Sequence, residues 1–133
     1  MSERRVIQTD AAPGAIGPYN QAIAAAGLVF AAGQVGLDPA TRQLREGVEA
    51  QAEQAVANVR AVLEAAGSGL ERVVKATIFL ADMGDFATVN EAYGRAMIKP
   101  FPARSTVAVK ELPLGALVEI EVIALAGADG QAS

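Results

Sequence analysis

From Gly47 to Ala66 the apolar residues Val48, Ala52, Ala55, Val56, Val59, Leu63 and Ala66 recur at steps of three and four. Glu49, Glu53, Arg60 and Glu64 fall mostly on the other side. That spacing predicts an amphipathic helix of ~30 Å, ended by Gly67 as its C-cap. Elsewhere the period shortens to two. Over Arg72–Ala81, Val74, Ala76, Ile78 and Leu80 point one way, and Val73, Lys75, Thr77 and Phe79 the other, the pattern of a strand. Over Leu117–Ala126, Val118, Ile120, Val122, Ala124 and Ala126 form one face, and Leu117, Glu119, Glu121, Ile123 and Leu125 its opposite. Arg104–Leu112 alternates as well, with Arg104, Thr106, Ala108 and Lys110 on one side.

Shorter strands are predicted at Arg5–Thr9, Gln21–Ala26 and Leu28–Gln34, the last two turned at Gly27. Asp10–Pro18 reads as a loop, punctuated by Pro13, Gly14, Gly17 and Pro18. Asp85 is placed to cap a second helix, Phe86–Met97, whose apolar side is Phe86, Val89, Ala92 or Tyr93, and Ala96 or Met97. The order βββ, α, β, α, ββ makes an α+β domain in which two helices cover one face of a mixed sheet of about six strands. The chain reads as a single domain over residues 1–133, with a core from about 7 to 126 and a frayed tail over 127–133.

The second sheet face then carries Val73, Phe79, Ala108, Ile123 and Leu125 among Arg104, Glu119, Lys75 and Thr77. Such a mixed face suggests a subunit interface containing a polar site. A hairpin joining the last two strands through Pro113–Ala116 would set Arg104 near Leu125 and Glu119 near Lys110. The two would then stand ~20 Å apart. They could meet at one small ligand only across a subunit boundary, or if the strands pair differently.

Composition sharpens this reading. Of 133 residues, 52% are hydrophobic and 20% charged, and mean hydropathy is +0.29. This excludes a disordered chain and leaves more apolar surface than a small monomer readily hides. No apolar run reaches the roughly 20 residues of a membrane span. With neither Cys nor His, disulfides, zinc–thiolate sites, Ser-His or Cys-His pairs and a His-based ribonuclease mechanism are all excluded. No clustered Asp/Glu motif offers a metal site, and no cofactor is implied. The N-terminus lacks the apolar core of a signal peptide, so a cytoplasmic location is the default. A net charge of −4, without a basic run beyond Arg4-Arg5, argues against nucleic acid as partner.

The residues that could carry chemistry are few. Arg104 offers a planar fork for a carboxylate or phosphate, or is a surface or structurally paired arginine. Glu119, if buried, is a general base or acid, or else a partner for Lys75, Lys110 or Arg104. Glu121 shares its face and rivals it; periodicity does not separate the two. Tyr19 sits in a loop that could aim it into a cleft or pack it onto the core. Asn90 could orient a polar ligand or face solvent, and the backbone of Gly33-Gln34 could receive an oxygen. Gly67-Ser68-Gly69 lacks the following Lys-Ser/Thr of a phosphate cradle and reads as a turn.

Taken together, several segments resemble the Rid family (reactive intermediate deaminases, or YjgF family), its RidA-type members in particular. They are Ala15-Ile16-Gly17-Pro18-Tyr19, Ala32-Gly33-Gln34 with Asp38-Pro39, Leu63-Glu64-Ala65-Ala66-Gly67, Phe86 through Tyr93, and Pro102-Ala103-Arg104-Ser105-Thr106-Val107 with Val118-Glu119-Ile120. The resemblance implies a chorismate-mutase-like fold of the bacillus type and a homotrimer with sites between subunits. The implied activity is 2-iminobutanoate/2-iminopropanoate deamination: hydrolysis of enamines and imines such as 2-aminoacrylate, released by PLP-dependent dehydratases, to 2-keto acids and ammonia. It implies Arg104 for the substrate carboxylate, Glu119 rather than Glu121 for the attacking water, and pocket positions for Tyr19, Gly33, Asn90 and Thr106. Departures from the family pattern are Ala32 for Ser, Thr106 for Cys, Ala96-Met97 for an aromatic pair and Gly36 for proline. The competing expectation is a trimer that binds a carboxylate metabolite, or acts in regulation or as a chaperone, without turnover.

Overall fold

Six strands and two helices carry out most of this pattern in a computed structural model, which describes residues 3–127. The strands are β1 (Arg5–Ile7), β2 (Ala22–Ala25), β3 (Leu28–Val35), β4 (Val73–Leu80), β5 (Ala103–Ala108) and β6 (Val118–Leu125). The helices are α1 (Val48–Ala65) and α2 (Phe86–Ala96). Gly67 follows α1 with φ +77°, and Ser68 N–H reaches back to Leu63 O, closing the helix as the spacing predicts. The expected tail lies outside the described residues apart from Gly127.

The strands form one sheet in the order β1-β2-β3-β6-β4-β5. Both helices lie on one face. Ile78, Leu80, Val118 and Ile120 project from the sheet into a core completed by Val59, Val62 and Leu63 of α1 and Val89 of α2. Burial of this apolar surface is the dominant favourable term of folding. Asn58, only 1% exposed, donates to Val35 O and Leu37 O and so ties α1 to the end of β3.

The expected hairpin between the last two strands does not form. β5 pairs in parallel with β4, and β6 runs antiparallel between β3 and β4. The cause is the crossover: α2 carries the chain from the end of β4 back to its start, so the next strand runs the same way. β5 is also shorter than the pattern suggests. After Val109 N–H bonds Leu80 O, the chain leaves the sheet toward a 3-10 turn at Pro113–Gly115.

Strand order changes which residues share a face. Arg104 pairs with Ala76, Thr106 with Ile78 and Ala108 with Leu80. Arg104 and Ala108 therefore lie on the helix side, not on the uncovered face expected for them. The register of β4 against β6 shifts between Val73 and Lys75, and this bulge buries Val73 and exposes Val74, the reverse of simple alternation. The uncovered face keeps Lys75, Thr77, Phe79, Glu119, Glu121, Ile123 and Leu125. Leu28 and Phe30 join it from β3, Val6 and Ile23 from the β1–β2 edge, and Val107 from β5.

Two local expectations are corrected. Asp85 makes no capping bond at α2; Asp82 instead accepts from Gly84 N–H and caps the 3-10 turn Met83–Asp85. Phe86 is exposed rather than buried; its ring faces the Arg104 guanidinium instead of the core.

Candidate active site

Glu119 stands on the uncovered face, opposite Phe79 on one side and Val35 on the other. Beside it β3 bulges: between the pairs Ala31–Val122 and Gln34–Ile120 the strand carries one extra residue. The bulge brings Gly33 against Glu119, whose carboxylate occupies the place a Cβ on residue 33 would take. Glu119 is partly buried, and desolvation, with the Glu121 charge two residues along, raises its pKa above the ordinary carboxylate range.

These residues line one end of a cleft of about 770 Å³. Its rim is the loop from Thr9 to Asn20 together with Leu114 of the 3-10 turn. Tyr19 projects from that loop, half-exposed, and its hydroxyl receives Ile16 N–H at 3.4 Å. Gln21 holds the loop in place. Its side-chain amide donates to Thr9 O, Ala12 O and Pro13 O, and its oxygen accepts from Thr9 N–H. Periodicity assigns Gln21 to a strand and misses this clamp; the only signal was a glutamine directly before an apolar strand.

Arg104 belongs to a second cleft, of about 410 Å³, on the helix side. Asn90, Tyr93, Gly94, Phe101 and Pro102 complete it. The guanidinium lies 5.0 Å from the Tyr93 ring centroid and 5.8 Å from that of Phe86. This cation–π contact seats the guanidinium against α2. Burial pushes the Tyr93 phenol upward, partly opposed by Arg104. The Tyr93 hydroxyl is buried without a hydrogen-bond partner, and so is Thr106 Oγ1. Thr106 lines neither cleft. The aromatic seat of Arg104 was not visible in the sequence, where Tyr93 reads only as part of an apolar helix face.

Of the six expected site residues, the structure therefore groups Tyr19, Gly33 and Glu119, and separately Asn90 and Arg104. In one chain the groups lie on opposite faces of the sheet. β4 separates their strands, a lateral offset of ~10 Å, and about three residues of strand add ~10 Å along it. Among the described residues no set of three His, Cys, Asp or Glu is arranged to hold a metal, and no helix is long and apolar enough to cross a membrane.

The profile of the family described as Endoribonuclease L-PSP matches residues 9–126. Human 2-iminobutanoate/2-iminopropanoate deaminase is 47% identical over 125 residues, covering 93% of this chain and 91% of that protein. The chain belongs to the Rid family. The crystal structure of RidA from an Antarctic Psychrobacter superposes with a TM-score of 0.89 at 48% identity, covering 91% of this chain and 98% of that one. E. coli TdcF with bound serine superposes with a TM-score of 0.88 at 40% identity, over 91% and 98%. The α+β fold is thus the chorismate-mutase-like fold of the Rid proteins, as the motifs implied.

Proposed function

We propose that this Rid protein is a 2-iminobutanoate/2-iminopropanoate deaminase, hydrolysing imines and enamines such as 2-aminoacrylate to 2-keto acids and ammonia. The observation that carries the reading is Glu119, a partly buried carboxylate of raised pKa held against the backbone of Gly33 beside Tyr19. The imine carbon is already electrophilic, so the protein need only orient a water, hold the substrate and manage protons. Glu119 takes a proton from water as its oxygen bonds the carbon. It returns that proton to nitrogen to give a carbinolamine; the hydroxyl proton then passes by way of Glu119 to the amino nitrogen as the C=O bond forms, the C–N bond breaks and ammonia leaves.

Arg104 supplies the carboxylate fork and Asn90 a polar contact, from the opposite half-site. The two halves close on one ligand when two copies meet edge to edge. The apolar uncovered face, with Val6, Phe30, Val107 and Leu125 each at least 42% exposed, supplies the surface for such assembly. We assign a homotrimer with sites between subunits, working in the cytoplasm beside the PLP-dependent dehydratases that release these imines.

Adding the protein to a threonine dehydratase reaction with serine should speed release of ammonia and pyruvate. Glu119→Gln and Arg104→Ala should each abolish the acceleration. Equal acceleration by either variant would overturn the reading. The serine bound to TdcF favours a second reading, retention of a carboxylate metabolite without turnover. Calorimetric binding of 2-ketobutyrate with no effect on the dehydratase reaction would select it.

A further inference from the structure

Arg42 is the single basic residue among those lining the Glu119 cleft. It follows Asp38-Pro39, where the chain bends back and Arg42 N–H donates to Asp38 O at 2.8 Å. At this bend Arg42 has φ +62°, in the left-handed region. Glycine enters that region freely; an arginine is disfavoured there by contact between its Cβ and the backbone. A charged side chain held in a conformation that local sterics resist, at the edge of a reactive cleft, points to a role for the side chain.

Asp38, whose backbone oxygen Arg42 N–H bonds, does not claim that charge. Asp38 accepts from Ala40 N–H and Thr41 N–H and pairs with Arg45 at 3.5 Å. Among the described residues Arg42 enters no ion pair. The acids that share its cleft are Asp10 and Glu119. At about 770 Å³ the cleft is also within the range of sites for much larger ligands than a four-carbon imine.

We infer that Arg42 is a specificity-determining residue that directs the cleft toward 2-imino acids bearing a second carboxylate. This rests on the deaminase reading for the reaction but not for the binding preference. Arg104, brought to this cleft by a second copy, would hold the carboxylate beside the imine carbon, and Arg42 the one at the far end of the substrate. The chemistry at C=N is unchanged: water oxygen bonds to carbon, ammonia leaves, and the distal carboxylate is carried through to a dicarboxylic 2-oxo acid.

The test pairs turnover with binding. Iminosuccinate and 2-iminopropanoate are generated in place from D-aspartate and D-alanine by their flavin oxidases. The wild-type protein should show kcat/KM for iminosuccinate roughly ten- to a hundredfold above that for 2-iminopropanoate, the range of a charge-assisted contact. In Arg42→Gly the ratio should fall to about one; Arg42→Lys should keep part of it. Calorimetry with 2-oxoglutarate and 2-oxobutanoate should show the same order in binding and the same collapse in Arg42→Gly. Arg42→Gly should melt no lower than wild type, since glycine relaxes the left-handed bend, so unfolding cannot mimic the result. A wild-type ratio near one, or a preference that survives Arg42→Gly, overturns the inference. If no imine is turned over, the deaminase reading fails while calorimetry still decides the role of Arg42.

Discussion

Gly33 and Glu119 exclude each other's growth: the glutamate carboxylate fills the volume where residue 33 would carry a Cβ. Gly33→Ala should therefore act through geometry. The displaced group is the end of a flexible side chain, so melting should change by only a few degrees. Moving that carboxylate by about an ångström should lower kcat/KM by roughly a hundredfold. A Gly33→Ala protein with full activity would show that Glu119 need not sit there.

The raised pKa of Glu119 sets two pH signatures. As a base it works only when ionised, so activity should fall on acidification at a pH above the ordinary glutamate range. Glu121→Gln removes the like charge beside it and should shift that limb downward; a pH–rate profile of both proteins checks this. Stability has the opposite sense. The folded state holds the Glu119 proton more tightly than the unfolded chain, so this group's contribution declines as pH rises through the two pKa values. Glu119→Gln should raise the melting temperature at neutral pH, with the gain shrinking as pH falls through the raised pKa and gone below the ordinary glutamate pKa.

Arg104 lies on two aromatic rings, and its fork is planar where a lysine is a point charge. Arg104→Lys should keep the charge and lose the bidentate contact, raising KM for the imine by about ten- to a hundredfold. Tyr93→Leu should give a smaller rise by loosening the seat. Steady-state kinetics that found Arg104→Lys unchanged would reduce the arginine to a diffuse charge.

Complementation between copies tests the divided site. Glu119→Gln and Arg104→Ala chains, denatured together and refolded, should regain about a quarter of wild-type activity. In random assemblies about one site in four then joins an intact Glu119 to an intact Arg104. Each variant refolded alone should stay inactive. No recovery in the mixture would mean that both residues act within one chain.

Asn58 is buried beneath the cleft and satisfies two carbonyls of the segment that follows Gly33. Asn58→Ala strands both groups and should cost about 1–3 kcal/mol in denaturant unfolding. A neutral result would mean that water replaces the amide.

How legible all this was depends on the physics behind each feature. The long helix and the faces of β6 follow from period alone, because each has one buried and one exposed side; this is why Glu119 was assigned to the correct face. Arg104 was assigned to the wrong one. Its side depends on β5 pairing in parallel with β4, and nothing within Arg104–Leu112 encodes that partner. The inversion of Val73 and Val74 comes from a bulge, which alternation does not reveal. Gly33 could be marked as a strand-end glycine, but its reason lies 86 residues later in the chain. Tyr19, as a loop phenol, and Asn90, as a helix amide, are open to both a site role and a structural one on position alone, whereas a role for Thr106 comes only from the motif likeness. Thr106 lies outside both clefts of the single chain.

The position of β6 carries a consequence for biosynthesis. Among the described strands it is the last in chain order, and it is the one that bridges β3 to β4. Without it the other strands fall into two groups that do not pair with each other, β1-β2-β3 and β4-β5. Joining them needs pairings between distant parts of the chain, which are slow to form. Glu119 travels on that bridging strand, so the reactive carboxylate reaches its place only in the step that unites the domain. A chain cut short before β6 would keep the Arg104 half-site but lack Glu119, and should therefore be inert.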